Sequence, residues 1–150
     1  MNKIIVLVGI QCSGKSTYAK KISVNPNNKT VRVNRDDIRK MLGKYWVPNR
    51  ENLVTNIEND IIERALDNKY DVIIDATNIG PNSRKRWNKF IEEYNCHNDK
   101  NIEIEYVYFP ISLFKALWRN FWRNLILPKD QKIKNKVLKD FYSRYIKEYE

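Results

Sequence analysis

Two rhythms of apolar and polar positions alternate along this chain. Short, dense apolar runs rich in β-branched residues, over 3–8, 30–33, 71–75 and 102–109, predict four strands. Between them, apolar residues recur at three- and four-residue spacing and predict helices over 16–23, 36–42, 51–68, 81–94, 112–125 and 133–149. Strands alternating with helices build an α/β fold, a parallel sheet with helices on both faces. Three seams hold full helical register: Trp87, Phe90, Ile91 and Tyr94; Phe114, Leu117, Trp118 and Phe121, continuing through Trp122 and Leu125; and Val137, Leu138, Phe141, Tyr142, Tyr145 and Tyr149. They are expected to face the core, with platforms for stacked bases as the alternative reading of the first two. Asn25-Pro26-Asn27-Asn28 and Leu127-Pro128-Lys129-Asp130 read as turns, and 95–101 as a loop carrying the only histidine, His97. A stretch over 43–50, with Tyr45, Trp46 and Pro48, suits a loop that folds over a substrate.

Composition narrows the class. A chain of 150 residues with 42% hydrophobic content suits one domain, 1–150, with one core. Cys12 and Cys96 match neither a zinc spacing nor a disulfide framework, so a reducing, cytoplasmic setting is expected. No apolar run approaches a membrane span, and residues 1–3 lead straight into the first strand rather than into a signal peptide; no membrane partner is expected. The net charge is +10, and residues 111–150 hold ten basic against four acidic residues, so they supply six of it. A lysine-rich segment of that kind suits a polyanionic partner, or a solvated face.

Chemistry enters at Gly9-Ile10-Gln11-Cys12-Ser13-Gly14-Lys15-Ser16-Thr17, which fits the phosphate-loop pattern G-x-x-x-x-G-K-[ST] directly after a predicted strand and before a predicted helix. Backbone N–H groups of such a turn and the helix N-terminus surround a triphosphate, Lys15 reaches its terminal oxygens, and Ser16 places a hydroxyl on Mg²⁺. Ligands of parallel sheets bind at the carboxyl ends of the strands, and each later strand also ends in polar residues. Asp36 and Asp37 follow the second strand, either as first-turn helix acids or with a carboxylate that takes an acceptor hydroxyl's proton; Arg39 shares a helical face with Asp36 and suits a substrate phosphate. Asp75 closes Val72-Ile73-Ile74 in the position of an acid that serves Mg²⁺. Thr77 and Asn78 then either meet substrate or cap the helix beginning at Pro81. Lys115, Arg119 and Arg123 recur every four residues, a solvent-facing row or a set of arginines closing on a nucleotide.

Together these residues resemble the T4-type bacteriophage polynucleotide 5′-hydroxyl kinases. The resemblance rests on Gly14-Lys15-Ser16-Thr17, Asn34-Arg35-Asp36-Asp37 with Arg39, Thr77-Asn78 followed by Arg84, Arg119-Asn120 with Arg123, and Val137-Leu138 with Tyr142, in that order over essentially the whole chain. It implies a four-stranded parallel sheet of the adenylate-kinase type and an ATP- and Mg²⁺-dependent transfer to 5′-hydroxyl RNA or DNA ends; cooperation with a separate ligase is left open by the sequence. It further implies Lys15 and Ser16 on the ATP phosphates and Mg²⁺, Asp36 as general base, Arg39 on the acceptor's 3′-side phosphate and Arg123 as the lid arginine. Three departures stand out. Cys12 occupies a glycine position of the T4-type loop. Asp75 lies one residue before the family's acid, which on a strand reverses side-chain direction. The family's phosphatase domain has no counterpart here, so no 3′-phosphatase activity is expected. A related kinase with a small-molecule acceptor is the alternative.

Overall fold

The computed structural model describes residues 2–149. Its strands are β1 (Lys3–Val8), β2 (Thr30–Val33), β3 (Asp71–Ile74) and β4 (Glu103–Tyr108); its helices are α1 (Lys15–Ser23), α2 (Arg35–Met41), α3 (Glu51–Asp67), α4 (Pro81–Asn98), α5 (Leu113–Ile126) and α6 (Asn135–Tyr149). All strand pairs are parallel in the order β2-β3-β1-β4, with Val6 opposite Ile74 and Tyr106, and Val33 also opposite Ile74.

Side chains alternate across the strands, so each run feeds two layers. Ile4, Val6, Val8, Val72 and Ile74 meet Ile62 and Leu66 of α3, Trp87 and Ile91 of α4 and Leu138 of α6. Ile5, Leu7 and Ile73 point the other way, onto Ala19 of α1. Burial on both faces explains why β1 reads as a continuous apolar run. Crossovers from β1 to β2 and from β3 to β4 run in opposite directions past the central pair β1/β3, and that divergence opens a crevice at their carboxyl ends.

The seam of α4 packs inward as its spacing predicts, with Trp87, Ile91 and Tyr94 buried. The seam of α5 does not. Phe114 is 82% exposed, Trp118 and Phe121 each 58% and Trp122 54%. Here Ala116 and Asn120 face inward, and the Asn120 and Asn124 amides both donate to the Ile133 carbonyl. Helical spacing identifies a stripe, but not which side of the helix meets the protein when the inward side is small and polar. Helix α4 also runs four residues past its predicted end, to Asn98, and takes in Cys96 and His97. Side chains sustain that last turn: Asn98 donates to the Tyr94 carbonyl, His97 Nδ1 lies 2.6 Å from the Glu93 carbonyl, and the chain exits through Asp99 at φ 49°.

Candidate active site

The crevice is a cleft of about 760 Å³, lined by residues 11–18 of the phosphate loop and early α1, by Asn34, Asp36, Tyr45, Asp75, Ala76 and Thr77, and by Arg119 and Arg123 of α5. The loop leaves β1 at Gly9, where a Cβ would lie 2.9 Å from the Phe109 carbonyl oxygen; no side chain fits there. Its backbone turns into α1 through Gly14 at φ 103°. Cys12 has φ 65°, in the left-handed region that favours glycine, which accounts for a glycine at this place in the T4-type loop. Gly9 donates to the Thr77 carbonyl at 3.0 Å, so the loop is anchored to the chain leaving β3 rather than open to the ligand at that point.

Lys15 is buried, its Nζ donating to the Ile10 carbonyl at 2.6 Å and to Ser13 Oγ at 3.2 Å. Burial pulls its pKa down to about 8, against the opposing pull of Asp75. A triphosphate beside the ammonium favours the charged form, so binding above pH about 8 requires proton uptake. We expect nucleoside triphosphate affinity to fall as pH rises through that value, toward tenfold per unit, with net proton uptake seen by calorimetry in buffers of different ionisation enthalpy. An affinity that stays level from pH 7 to about 10 would contradict it.

Asp75 directly follows β3, its N–H still donating to the Val33 carbonyl at 2.9 Å, and its buried side chain lies on the α1 side of the sheet, the side that Ile73 also faces. Ser16 Oγ donates to Asp75 Oδ1 at 3.1 Å; Oδ2 accepts from Arg32 Nε at 2.8 Å. The one-residue offset noted in the sequence therefore still delivers the carboxylate to the loop serine. Two oxygens so spaced fit neighbouring corners of an octahedral Mg²⁺ shell, whose ligands at about 2.1 Å stand roughly 3 Å apart. Ser16 and Asp75 are the residues that would hold it.

On the opposite wall Asn34 caps α2, accepting from the Asp37 N–H at 3.0 Å, and its amide donates to the Asp75 carbonyl at 2.7 Å. That cap aims Asp36 into the cleft, where Oδ1 accepts from Arg39 Nη1 at 2.7 Å, and turns Asp37 outward to Arg32. Tyr45 lines the cleft, and Trp46 lies beneath the Arg39 guanidinium at 5.1 Å. Arg119 donates from Nη1 to the Cys12 carbonyl at 3.0 Å, which ties α5 to the loop; Lys115 is exposed and stands outside the lining.

One sequence assignment changes. Asn78, read as a substrate or capping residue, is buried at φ 48°, its amide donating to the Leu7 carbonyl and its Oδ1 accepting from Trp87 Nε1. It is a clamp between β1 and α4, outside the cleft lining. Thr77 does line the cleft. Sequence reasoning passed over Arg32 and Glu51. The signal for Arg32 was a charge inside a four-residue strand; Glu51 carried only the look of a first-turn helix acid.

A model of the family described as AAA domain matches residues 4–147. The chain belongs to that family. Among its relatives, the L-seryl-tRNA(Sec) kinase of Methanococcus maripaludis is 31% identical over 145 residues, which is 95% of this chain and 52% of the relative. A protein of Autographa californica nuclear polyhedrosis virus, provisionally named a bifunctional polynucleotide kinase/RNA ligase, is 27% identical over 97% of this chain and 21% of its own length. A chain in the structure of the Pnkp1/Rnl/Hen1 RNA repair complex superposes with a TM-score of 0.82 at 28% identity, over 97% of this AAA-domain chain and 44% of its own. The chain thus spans about half the length of these relatives, or less. Its four-stranded parallel sheet, flanked by helices, is the phosphate-loop kinase type of α/β fold. No helix among the described residues is long and apolar enough to cross a membrane.

Proposed function

We propose that this chain, as a single phosphate-loop kinase domain, transfers the γ-phosphate of ATP to the 5′-hydroxyl of an RNA or DNA end. The observation that carries the reading is Asp36, which lines the same cleft as Lys15 and Ser16 and accepts at 2.7 Å from Arg39, placed just behind that lining on the same helix α2. A carboxylate beside a guanidinium suits an acceptor that presents a hydroxyl and a phosphate close together, as a 5′-terminal nucleotide does. The RNA-repair context of the superposed complex and the name of the viral relative support the polymer acceptor.

In this reading Asp36 takes the hydroxyl proton as the 5′-oxygen bonds to the γ-phosphorus. The bond from that phosphorus to the bridging oxygen breaks, and ADP departs with the electron pair. Lys15 and the loop N–H groups hold the phosphates, while Arg119 and Arg123 close the nucleotide side. Ser16 and Asp75 would hold Mg²⁺, which when bound would neutralise charge on the triphosphate. A ligase acting on the new 5′-phosphate is the expected partner, since the viral relative's name joins the two activities.

Transfer of label from γ-labelled ATP to a 5′-hydroxyl oligonucleotide tests the reading, with the 5′-phosphorylated strand and the Lys15→Ala variant as controls. Label is expected on the 5′-hydroxyl strand alone. Transfer is also expected to fall steeply with salt, because the basic segment over 111–150 meets the phosphate backbone. The kinship to an L-seryl-tRNA(Sec) kinase favours a second reading, a hydroxyl acceptor other than a strand end. Label on a seryl-tRNA or a small hydroxylic acceptor, with none on the oligonucleotide, would decide for it.

A further inference from the structure

Arg39 is held by two carboxylates at once, and only one of them belongs to the reaction described above. Glu51, the first residue of α3, accepts from Nε at 2.9 Å and from Nη2 at 2.8 Å through its two oxygens, while Asp36 accepts from Nη1. A guanidinium carries five N–H donors. Three are taken among the described residues, which leaves one on each Nη nitrogen. The Trp46 ring lies under one face of the same group. Arg39 is therefore fixed along one edge, at one nitrogen and on one face, with a pair of donors still to place.

Glu51 is itself braced. Arg35 Nη2 donates to its Oε2 at 3.1 Å, Arg35 Nη1 donates to Glu58 Oε2 at 2.7 Å, and Arg86 Nη2 reaches the same Glu58 oxygen at 2.6 Å. Glu58 is 1% exposed, so this chain of ion pairs runs from α2 through the interior side of α3 to α4. The Arg39 and Arg35 guanidinium groups, Arg39 first, hold the Glu51 carboxyl down at about 2, so it is charged throughout the neutral range. A paired, two-oxygen contact sets the plane of a guanidinium as a single contact cannot.

We propose that Glu51 is a positioning residue: it fixes the plane of Arg39 so that the two remaining N–H groups meet the phosphate on the 3′ side of the acceptor's terminal nucleoside. The proposal rests on the acceptor reading of Arg39 and Asp36 given above. A plain helix-terminal acid at this place would stabilise α3 without regard to which acceptor is bound. Positioning through Arg39 makes a sharper demand, because its effect belongs to acceptors that carry the phosphate.

The test compares a nucleoside 3′-monophosphate with the same nucleoside lacking phosphate, in the wild type, Glu51→Gln, Arg39→Ala and the double variant. In the wild type the ratio of kcat/KM values is expected to favour the phosphate-bearing acceptor. In Glu51→Gln that ratio is expected to fall about tenfold or more, the scale on which misplacement of a binding group costs rate. In the Arg39→Ala background the second substitution is expected to change the ratio no further, since both act through one contact. Melting temperatures of the four proteins separate this from unfolding. An unchanged ratio in Glu51→Gln overturns the proposal, as does a further loss in the double variant. If the wild type phosphorylates neither these acceptors nor an oligonucleotide, the polynucleotide reading has failed and this proposal goes with it; activity with an unchanged ratio removes Glu51 alone.

Discussion

Replacing Arg123 by alanine is expected to slow phosphoryl transfer about 10³-fold or more, with a much smaller loss in nucleotide affinity. Arg123 lines the cleft from α5, close enough to Lys15 to add, after burial, to what disfavours the charged ammonium there. A guanidinium so placed contributes when charge spreads over the transferred phosphoryl group, and arginines in that role are worth about 10³ to 10⁵ in rate. Arg119, by contrast, spends one donor on the Cys12 carbonyl and so braces the loop. Arg123→Lys is expected to restore little, because an ammonium lacks the planar fork. Single-turnover rates with a 5′-hydroxyl oligonucleotide provide the measurement. A rate within tenfold of wild type would take Arg123 out of the transition state.

The second large effect is expected at Asp36. Asp36→Ala should lower turnover at least about 10²-fold while ATP still binds, since a lost general base costs about 10² to 10⁴. Its carboxylate also holds Arg39 Nη1, so alanine removes a proton acceptor and an orienting contact together. Asp36→Asn separates the two, because its amide oxygen can still accept from Arg39 and takes no proton at neutral pH. Turnover near wild type in Asp36→Asn, measured beside an unchanged ATP affinity, would leave Asp36 an orienting role only.

Much of this site was legible in order along the chain. The phosphate loop is local: its glycines, lysine and serine act within nine consecutive residues, and the strand before and helix after it carry their own periodicity. The Asp36–Arg39 pair was legible for the same reason, as three residues on a helix bring side chains to one face. Asn78 was misplaced because its surroundings are distant: the Leu7 carbonyl and the Trp87 indole reach it from β1 and α4, and the same asparagine suits a turn, a cap or a ligand contact.

Periodicity located the strands and the helices, the last turn of α4 apart, and the glycine-lysine motif located the loop between β1 and α1, because backbone hydrogen bonding and side-chain direction repeat over a few residues. Only the tertiary structure decided the orientation of α5, whose aromatic stripe faces outward because Ala116 and Asn120 take the inward side. It alone set Asp75 against Ser16, two residues 59 positions apart, and joined Arg39 to Glu51 across two helices. Those contacts depend on how elements pack, and packing answers to the shape and charge of surfaces far apart in the chain.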